Sequence, residues 1–356
     1  MRVLVLSRYG MLGASSRLRI RQYLPHFREA GIEMLCHALL DDEYLNALYA
    51  RRAAPRSVLR GYSGRLRALW QANRFDALLV EKESLPWLPA LIELALYGNT
   101  PLWVDYDDAI FHRYDRHTSA LVRAGLGRKL DAIMHRADLV TAGNNYLVQH
   151  AVDAECRHVE YVPTVIDLRR YPRAPKPPHN HDVVIGWIGS PSTANYLKLV
   201  APTLERLARR HPIRCVAIGA RADQLRDTPF HAAPWSEATE VEQVRGIDIG
   251  IMPLPDTPWE RGKCGYKLIQ YMACGLPVVA SPVGVNNQIV RGDNGYLADD
   301  AQAWSDALER LILDAPLRAA MGRAGRARVE QEFCLQVQAP RLIGFLQELV
   351  GERCAA

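Results

Sequence analysis

The chain has no long apolar run. No stretch of about 18 uninterrupted apolar residues occurs among its 356 residues, which excludes a membrane-crossing helix. Its seven cysteines (36, 156, 215, 264, 274, 334 and 354) are an odd, scattered set without a Cys-x-x-Cys pair. That pattern argues against a disulfide framework and a zinc site, and suits a reducing, cytoplasmic setting. No Gly-x-Gly-x-x-Gly opens a helix, so a nicotinamide or flavin site has little support. The eleven histidines show no metal-ligand spacing, and no metal is expected. Residues 1–7 turn polar too soon for a signal peptide and read as a first buried strand. Residues 46–75 lack acid altogether, yet hold seven arginines (51, 52, 56, 60, 65, 67 and 74).

What is present is ordinary in bulk and patterned in detail. Hydrophobic content of 49% and charged content of 23% suit a soluble globular protein, and the length suits two domains. Strand-like runs fall at 2–7, 32–39, 77–81, 102–106, 139–142 and 159–162, then again at 183–188, 213–218, 247–252, 277–281 and 295–298. Helical spacing lies between most of them, as at 16–30 and 125–135. Such alternation predicts an α/β fold of two doubly wound, Rossmann-like parallel sheets, with a ligand in the cleft where they face. Residues 163–182 carry five prolines and read as a connection. The expected division is 1–165, a linker at 166–182, a second domain at 183–334, and a terminal segment at 335–356.

Residues 263–275 are the most informative stretch. At about 3.6 residues per turn, Lys263, Lys267 and Gln270 share one helical stripe, opposite Gly265, Leu268, Ile269 and Met272. Two ammonium groups and an amide near a helix start suit a diphosphate joined to a hydroxylated ring; a solvated lysine face is the plainer alternative. In the arginine-rich segment, Leu59, Tyr62, Leu66, Leu69 and Trp70 are interleaved with the cations. A basic amphipathic surface of this kind suits an anionic membrane, or is simply a solvated helix. No RNA-binding or helix-turn-helix signature accompanies it, so nucleic acid is not expected.

The runs Asp248-Ile-Gly-Ile-Met-Pro-Leu, Gly262-Lys-Cys-Gly-Tyr-Lys-Leu-Ile-Gln-Tyr-Met-Ala-Cys-Gly-Leu-Pro-Val-Val-Ala-Ser-Pro and Asn294-Gly-Tyr-Leu resemble the donor half of retaining glycosyltransferases of family 4. Residues 10–13 with 15–21, and 162–167, resemble that family's first glycine loop and helix and its linker entry. The resemblance implies the GT-B fold and metal-independent transfer, with retention, from a nucleotide-diphosphate sugar to a glycan hydroxyl. It implies no cofactor beyond that donor. With the arginine-rich segment it suggests a lipid-linked glycan acceptor at the inner face of a membrane, as in surface polysaccharide assembly. The C-terminal helix, 335–349, is expected to cross back to the first domain.

The departures from the family are specific. Its two donor-site glutamates, eight positions apart, fall on Gly262 and Gln270; the amide still donates and accepts, while glycine replaces nothing. Glu260 would substitute only if the loop were reshaped. The family's Arg and Lys after the first strand of this domain give way to Gly189-Ser190-Pro191-Ser192-Thr193, so the positive charge is expected at Arg261, Lys263 and Lys267. Trp235 would stack on a uracil or guanine face, or fill a core gap. On the acceptor side, Gly13, Ser16 and Arg17 form the expected loop, or a plain strand-to-helix turn.

Asp105-Tyr-Asp107-Asp108 admits three readings: a metal pair, a strand-end structural role, or a cleft-facing role on the acceptor hydroxyl. Asp107 and Asp108 are the expected catalytic residues. Glu81 and Glu83 are weaker candidates, with a surface salt-bridged pair as the alternative. A sugar-nucleotide epimerase of the same architecture, or a non-catalytic nucleotide-sugar binder, are the rival functions.

Overall fold

The structure, a computed structural model, describes residues 1–50, 52–173 and 182–354. The chain divides into two units. The first comprises Met1–Thr164, Gly262–Cys264 and the C-terminal stretch from Gln338; the second comprises Val165–Arg261 and Gly265–Val337. Residues 174–181, most of the expected linker, lie outside the described residues. Residues 165–173 belong to the second unit.

Each unit is built on a six-stranded, all-parallel sheet. In the first, β1 (Arg2–Tyr9), β2 (Glu33–Leu40), β3 (Ala77–Glu81), β4 (Leu102–Tyr106), β5 (Leu139–Ala142) and β6 (Val159–Tyr161) run in the order β2-β1-β3-β4-β5-β6. In the second, β7 (Val183–Ile188), β8 (Ile213–Ile218), β9 (Phe230–Ala233), β10 (Ile249–Met252), β11 (Val278–Ala280) and β12 (Gly295–Leu297) run β12-β11-β10-β7-β8-β9. The central strands are buried end to end because helices cover both faces, which is why they read as continuous apolar runs. Leu4, Leu6, Val80, Val104 and Val140 fill the first core; Ile185, Trp187, Ile249 and Ile251 fill one side of the second.

Both orders contain a reversal, between β1 and β3 in one sheet and between β7 and β10 in the other. Ligands of doubly wound sheets bind beyond the strand ends at such points. Register does the local work. Leu6 faces Val80 and Glu81 faces Asp105, so the residues following β1, β3 and β4 converge at one rim. In the second unit the Tyr271 ring lies over Gly250, and its hydroxyl accepts from Ile188 N–H at 2.9 Å. That contact seats the Tyr266–Ala273 helix across the β7/β10 reversal.

Several local expectations are corrected. The expected helix at 16–30 is broken into Ala14–Arg19, a 3-10 turn at Arg21–Tyr23, and Leu24–Glu29, the last with proline in its first turn. The helix expected at 125–135 is two, Ala120–Leu126 and Lys129–Arg136. The sequence reading missed β9, whose Phe230 alone is buried. From Gln338 onward the Leu335–Cys354 helix belongs to the first unit, where Arg341 lies 3.5 Å from Glu160 and the Phe345 ring meets His158 edge-on.

Candidate active site

In the first unit the rim beyond β1, β3 and β4 is a dense cluster of buried charge. Lys82 follows β3 with its ammonium 2.6 Å from Asp107 Oδ1 and 3.8 Å from Asp108 Oδ2. Ser15 donates to Asp107 Oδ2 at 2.5 Å. The 262–264 segment completes the cluster: Lys263 Nζ stands 3.7 Å from Asp108 Oδ1, and the Cys264 thiol donates to the Asp107 carbonyl at 3.0 Å. Asn144 holds this segment by donating to the Lys263 carbonyl at 3.0 Å.

The two aspartates are driven apart electrostatically. Burial alone would raise Asp107, but the Lys82 and Arg19 charges and the Ser15 hydroxyl bring it below the usual carboxylate value. Burial raises Asp108, and the neighbouring Asp107 charge adds to that, against the pull of Lys82 and Lys263. Adjacent carboxyls with opposed shifts are the usual raw material of acid–base chemistry. Asp105 is different: Arg19 grips it through two hydrogen bonds, at 2.9 and 2.6 Å, and Thr141 adds a third at 2.6 Å. It serves as a structural counter-ion at the end of β4.

The expected acceptor loop needs correction. Ser16 is fully buried, accepting from Tyr9 N–H at 3.0 Å and donating to Glu81 at 2.5 Å, because the helix starting at Ala14 turns it inward. Ser15, which the sequence reading placed in the first helix without a site role, meets Asp107 instead. Gly13 caps that helix, packed so closely on Tyr9 that a Cβ would lie 2.3 Å from the Tyr9 Cβ, and Arg17 is buried. Glu81 and Glu83 are not a surface pair. Both are buried, and Glu83 is held by Arg8 at 3.2 Å, Lys129 at 2.8 Å and the Tyr114 hydroxyl.

The single lysine stripe is overturned. Gly265 adopts φ 65°, so the helix begins at Tyr266; Lys263 precedes it and belongs to the first unit. Gly262 sits against Ala109, where a Cβ would come within 2.7 Å of the Ala109 nitrogen, so no glutamate fits that position without displacing the segment. Glu260 does not substitute either: its two oxygens are engaged by Tyr196 and Thr257. Arg261 forms a two-bond pair with Asp256 at 2.6 and 2.9 Å, which offsets its charge.

Lys267 remains on the helix. Its Nζ lies 5.4 Å from the centre of the Trp187 ring, and its Cε abuts Gly189 at the end of β7. Ser190 and Thr193 follow, with Ser190 capping the 3-10 segment Pro191–Leu199 and Thr193 bonded back to the Ser190 carbonyl at 3.1 Å. Gly219, at the end of β8, brings Trp235 to the same rim; its indole N–H donates to Glu240 at 3.0 Å and its ring is partly exposed. Gln270 is buried and donates to the Tyr171 hydroxyl at 3.0 Å. The second unit therefore gathers Gly189, Ser190, Lys267 and Trp235, and leaves Arg261 and Lys263 out of that group.

The arginine-rich segment forms the Pro55–Leu69 helix. Arg65 is buried and donates to the Ser7 and His37 carbonyls at 2.5 and 2.9 Å, while Arg60 pairs with Asp41 and Glu43. Leu69 is buried and Tyr62 is tied to the Pro86 carbonyl at 2.8 Å, so the amphipathic face is narrower than expected. Leu59, Leu66 and Trp70 are exposed, and Leu91 and Ile92 of the Ala90–Tyr97 helix join them. Leu66, Trp70, Leu91, Ile92, Ala95 and Leu96 line one shallow apolar groove. Arg52, Arg56, Arg67 and Arg74 are exposed; Arg51 lies outside the described residues.

The chain is similar to known proteins. Residues 182–314 match the family model described as glycosyl transferases group 1. A GDP-mannose-dependent monoacylated alpha-(1-6)-phosphatidylinositol monomannoside mannosyltransferase of Corynebacterium glutamicum is 24% identical over 293 residues, 73% of this chain and 75% of that one. A D-inositol 3-phosphate glycosyltransferase of Corynebacterium jeikeium is 26% identical over 317 residues, 79% of this chain and 71% of that one. Among solved structures, HepE of Anabaena in complex with UDP is similar with a TM-score of 0.74 at 16% identity, covering 98% of this chain and all (100%) of that one. The two parallel-sheet units give the chain the GT-B fold, and its second unit is similar to glycosyl transferases group 1.

Proposed function

We propose that the protein transfers a sugar from a nucleotide-diphosphate sugar to a hydroxyl of a lipid-linked glycan, with retention and without a metal, during surface polysaccharide assembly. The observation that carries this reading is Lys267 lying against Gly189 at the β7/β10 reversal, where a diphosphate is expected. Ser190, Thr193 and the fixed ammonium supply donors for the charge that develops on the leaving phosphate. Asp107 and Asp108 act on the acceptor hydroxyl.

Cytoplasmic placement at the inner face of a membrane fits the same reading. The exposed Leu59, Leu66, Trp70, Leu91 and Ile92, flanked by Arg56 and Arg67, match an anionic lipid surface in both apolar depth and charge.

Incubation with radiolabelled GDP-mannose and UDP-glucose, with and without a lipid-linked glycan fraction, tests the assignment. Nucleotide release that depends on the acceptor and persists in EDTA is the expected result, and proton NMR of the product should show the donor's anomeric configuration. Acceptor-independent rearrangement of the sugar would make the protein an epimerase. Binding without turnover would make it a nucleotide-sugar binder.

A further inference from the structure

Lys82 sits in a conformation that lysine rarely adopts. Its φ is 68°, one of four non-glycine residues in the left-handed region among the described residues, and the side chain is almost wholly buried. Such backbone persists only where the surroundings enforce it. Here the Lys82 N–H donates to the Asp105 carbonyl at 2.9 Å, continuing the β3–β4 ladder while the chain turns. An extended residue would point away from Glu81 to the opposite face of the sheet. The left-handed turn instead carries the ammonium to the end of β4.

What it meets there divides two adjacent carboxyls. Asp107 has both oxygens engaged, Oδ1 by Lys82 at 2.6 Å and Oδ2 by Ser15 at 2.5 Å, and Lys82 Nζ also donates to the Ser15 hydroxyl at 3.2 Å. Asp108 is about a third exposed, with the Lys82 and Lys263 ammoniums at the looser distances of 3.8 and 3.7 Å. The other charged or titratable groups at the cluster are Glu81 on β3, Asp105 on β4, Arg19 on the Ala14–Arg19 helix, and Cys264 beside Lys263.

We propose that Lys82 is a positioning residue that pins Asp107 as a fixed anion and leaves Asp108 as the carboxylate that exchanges a proton with the acceptor. In that step the acceptor oxygen bonds to the sugar on the face from which the diphosphate departs, which keeps the anomeric configuration, and Asp108 takes the hydroxyl proton. The bond from the sugar to the diphosphate breaks, and its electron pair leaves with the nucleotide. The raised Asp108 and lowered Asp107 agree with this division, since a base works best when its affinity for the proton approaches the working pH. The inference rests on the glycosyl-transfer reading for its chemistry, but not for its electrostatics.

The test uses the full chain as wild type, Lys82→Met, Lys82→Arg and Lys82→Gly, the last relieving the left-handed strain, with circular dichroism and thermal melting to confirm that each variant folds. With GDP-mannose or UDP-glucose as probe, Lys82→Met and Lys82→Gly should lose about 100-fold or more in kcat with less than about threefold change in donor KM. The acid limb of the pH profile should move up by about 1 to 3 pH units, because both carboxyls lose a cation. Lys82→Arg should keep the limb in place. Carbon-13 NMR titration of the aspartate carboxyls, with Asp107→Asn for assignment, needs no turnover and should show Asp107 protonating at higher pH in Lys82→Met. An unaltered Asp107 titration overturns the proposal even if neither probe reacts. Normal kcat and an unmoved acid limb in Lys82→Gly overturn it if one does. Absence of turnover in wild type with a shifted Asp107 sinks only the transfer reading.

Discussion

Gln270 donates from Nε2 to the Tyr171 hydroxyl at 3.0 Å, both side chains being buried in the second unit. With its nitrogen engaged there, the amide keeps Oε1 able to accept from a ribose hydroxyl. Tyr171→Phe should therefore act twice. It leaves a buried amide without its partner, a loss of about 1 to 3 kcal/mol that urea unfolding would register. It also frees the amide to rotate, so UDP and GDP affinity should fall. Unchanged stability together with unchanged affinity would show that the Tyr171 bond does not orient Gln270.

Lys267 is the cation the second unit places at the β7 end, and Lys267→Ala should weaken UDP or GDP binding about 10- to 100-fold. That range follows from one charge-assisted hydrogen bond of about 1.5 to 3 kcal/mol. Isothermal titration calorimetry at fixed salt measures it. The Trp187 ring beneath the ammonium should hold the fold, so thermal stability should move little. Wild-type affinity in this variant would remove the assigned phosphate contact.

The sheets were legible because parallel strands buried on both faces leave uninterrupted apolar runs, as in Leu78, Leu79 and Val80 of β3. β9 escaped because Phe230-His-Ala-Ala offers one buried side chain and no β-branched residue. The site was harder. Helical spacing ran straight through Gly265, and only its left-handed φ shows that Lys263 lies outside the helix. Ser15 and Ser16 differ by one residue, so the start of their helix decides which faces Asp107. Lys82 carried no sequence signal at all, since its meeting with Asp107 depends on a backbone conformation that lysine does not advertise.

Stability should fall as the solution is acidified from pH 7 to pH 5, and His37 should account for part of the fall. Burial first, and then the Arg65 charge, pushes its imidazole from 6.5 down to about 4. The folded chain thus keeps His37 neutral where the unfolded chain takes up a proton, so stability is full above about 6.5, falls between about 6.5 and about 4, and levels below that. The loss by pH 5 is at most about 2 kcal/mol, and less after solvent screening, because the ring is only partly buried. His37→Gln keeps an acceptor for the Arg65 Nε contact at 3.4 Å and should flatten this part of the profile. Urea midpoints at the two pH values would reveal an unaltered slope if another group is responsible.

The apolar groove between the Pro55–Leu69 and Ala90–Tyr97 helices makes a prediction that separates its two components. Trp70 is 81% exposed and Leu91 77%, far from the burial such side chains usually find. On vesicles of phosphatidylglycerol and phosphatidylcholine, Trp70→Ser with Leu91→Ser should lower binding by about tenfold or more at any ionic strength, because insertion of apolar area is salt-independent. Arg56→Gln with Arg67→Gln should lower it about 30-fold at low salt, at about 1 kcal/mol per arginine, and hardly at all at high salt, where charges are screened. Pure phosphatidylcholine vesicles should be bound weakly by every form. Sedimentation reads all three. If wild type fails to pellet with anionic vesicles at low salt, the membrane reading of the groove is removed.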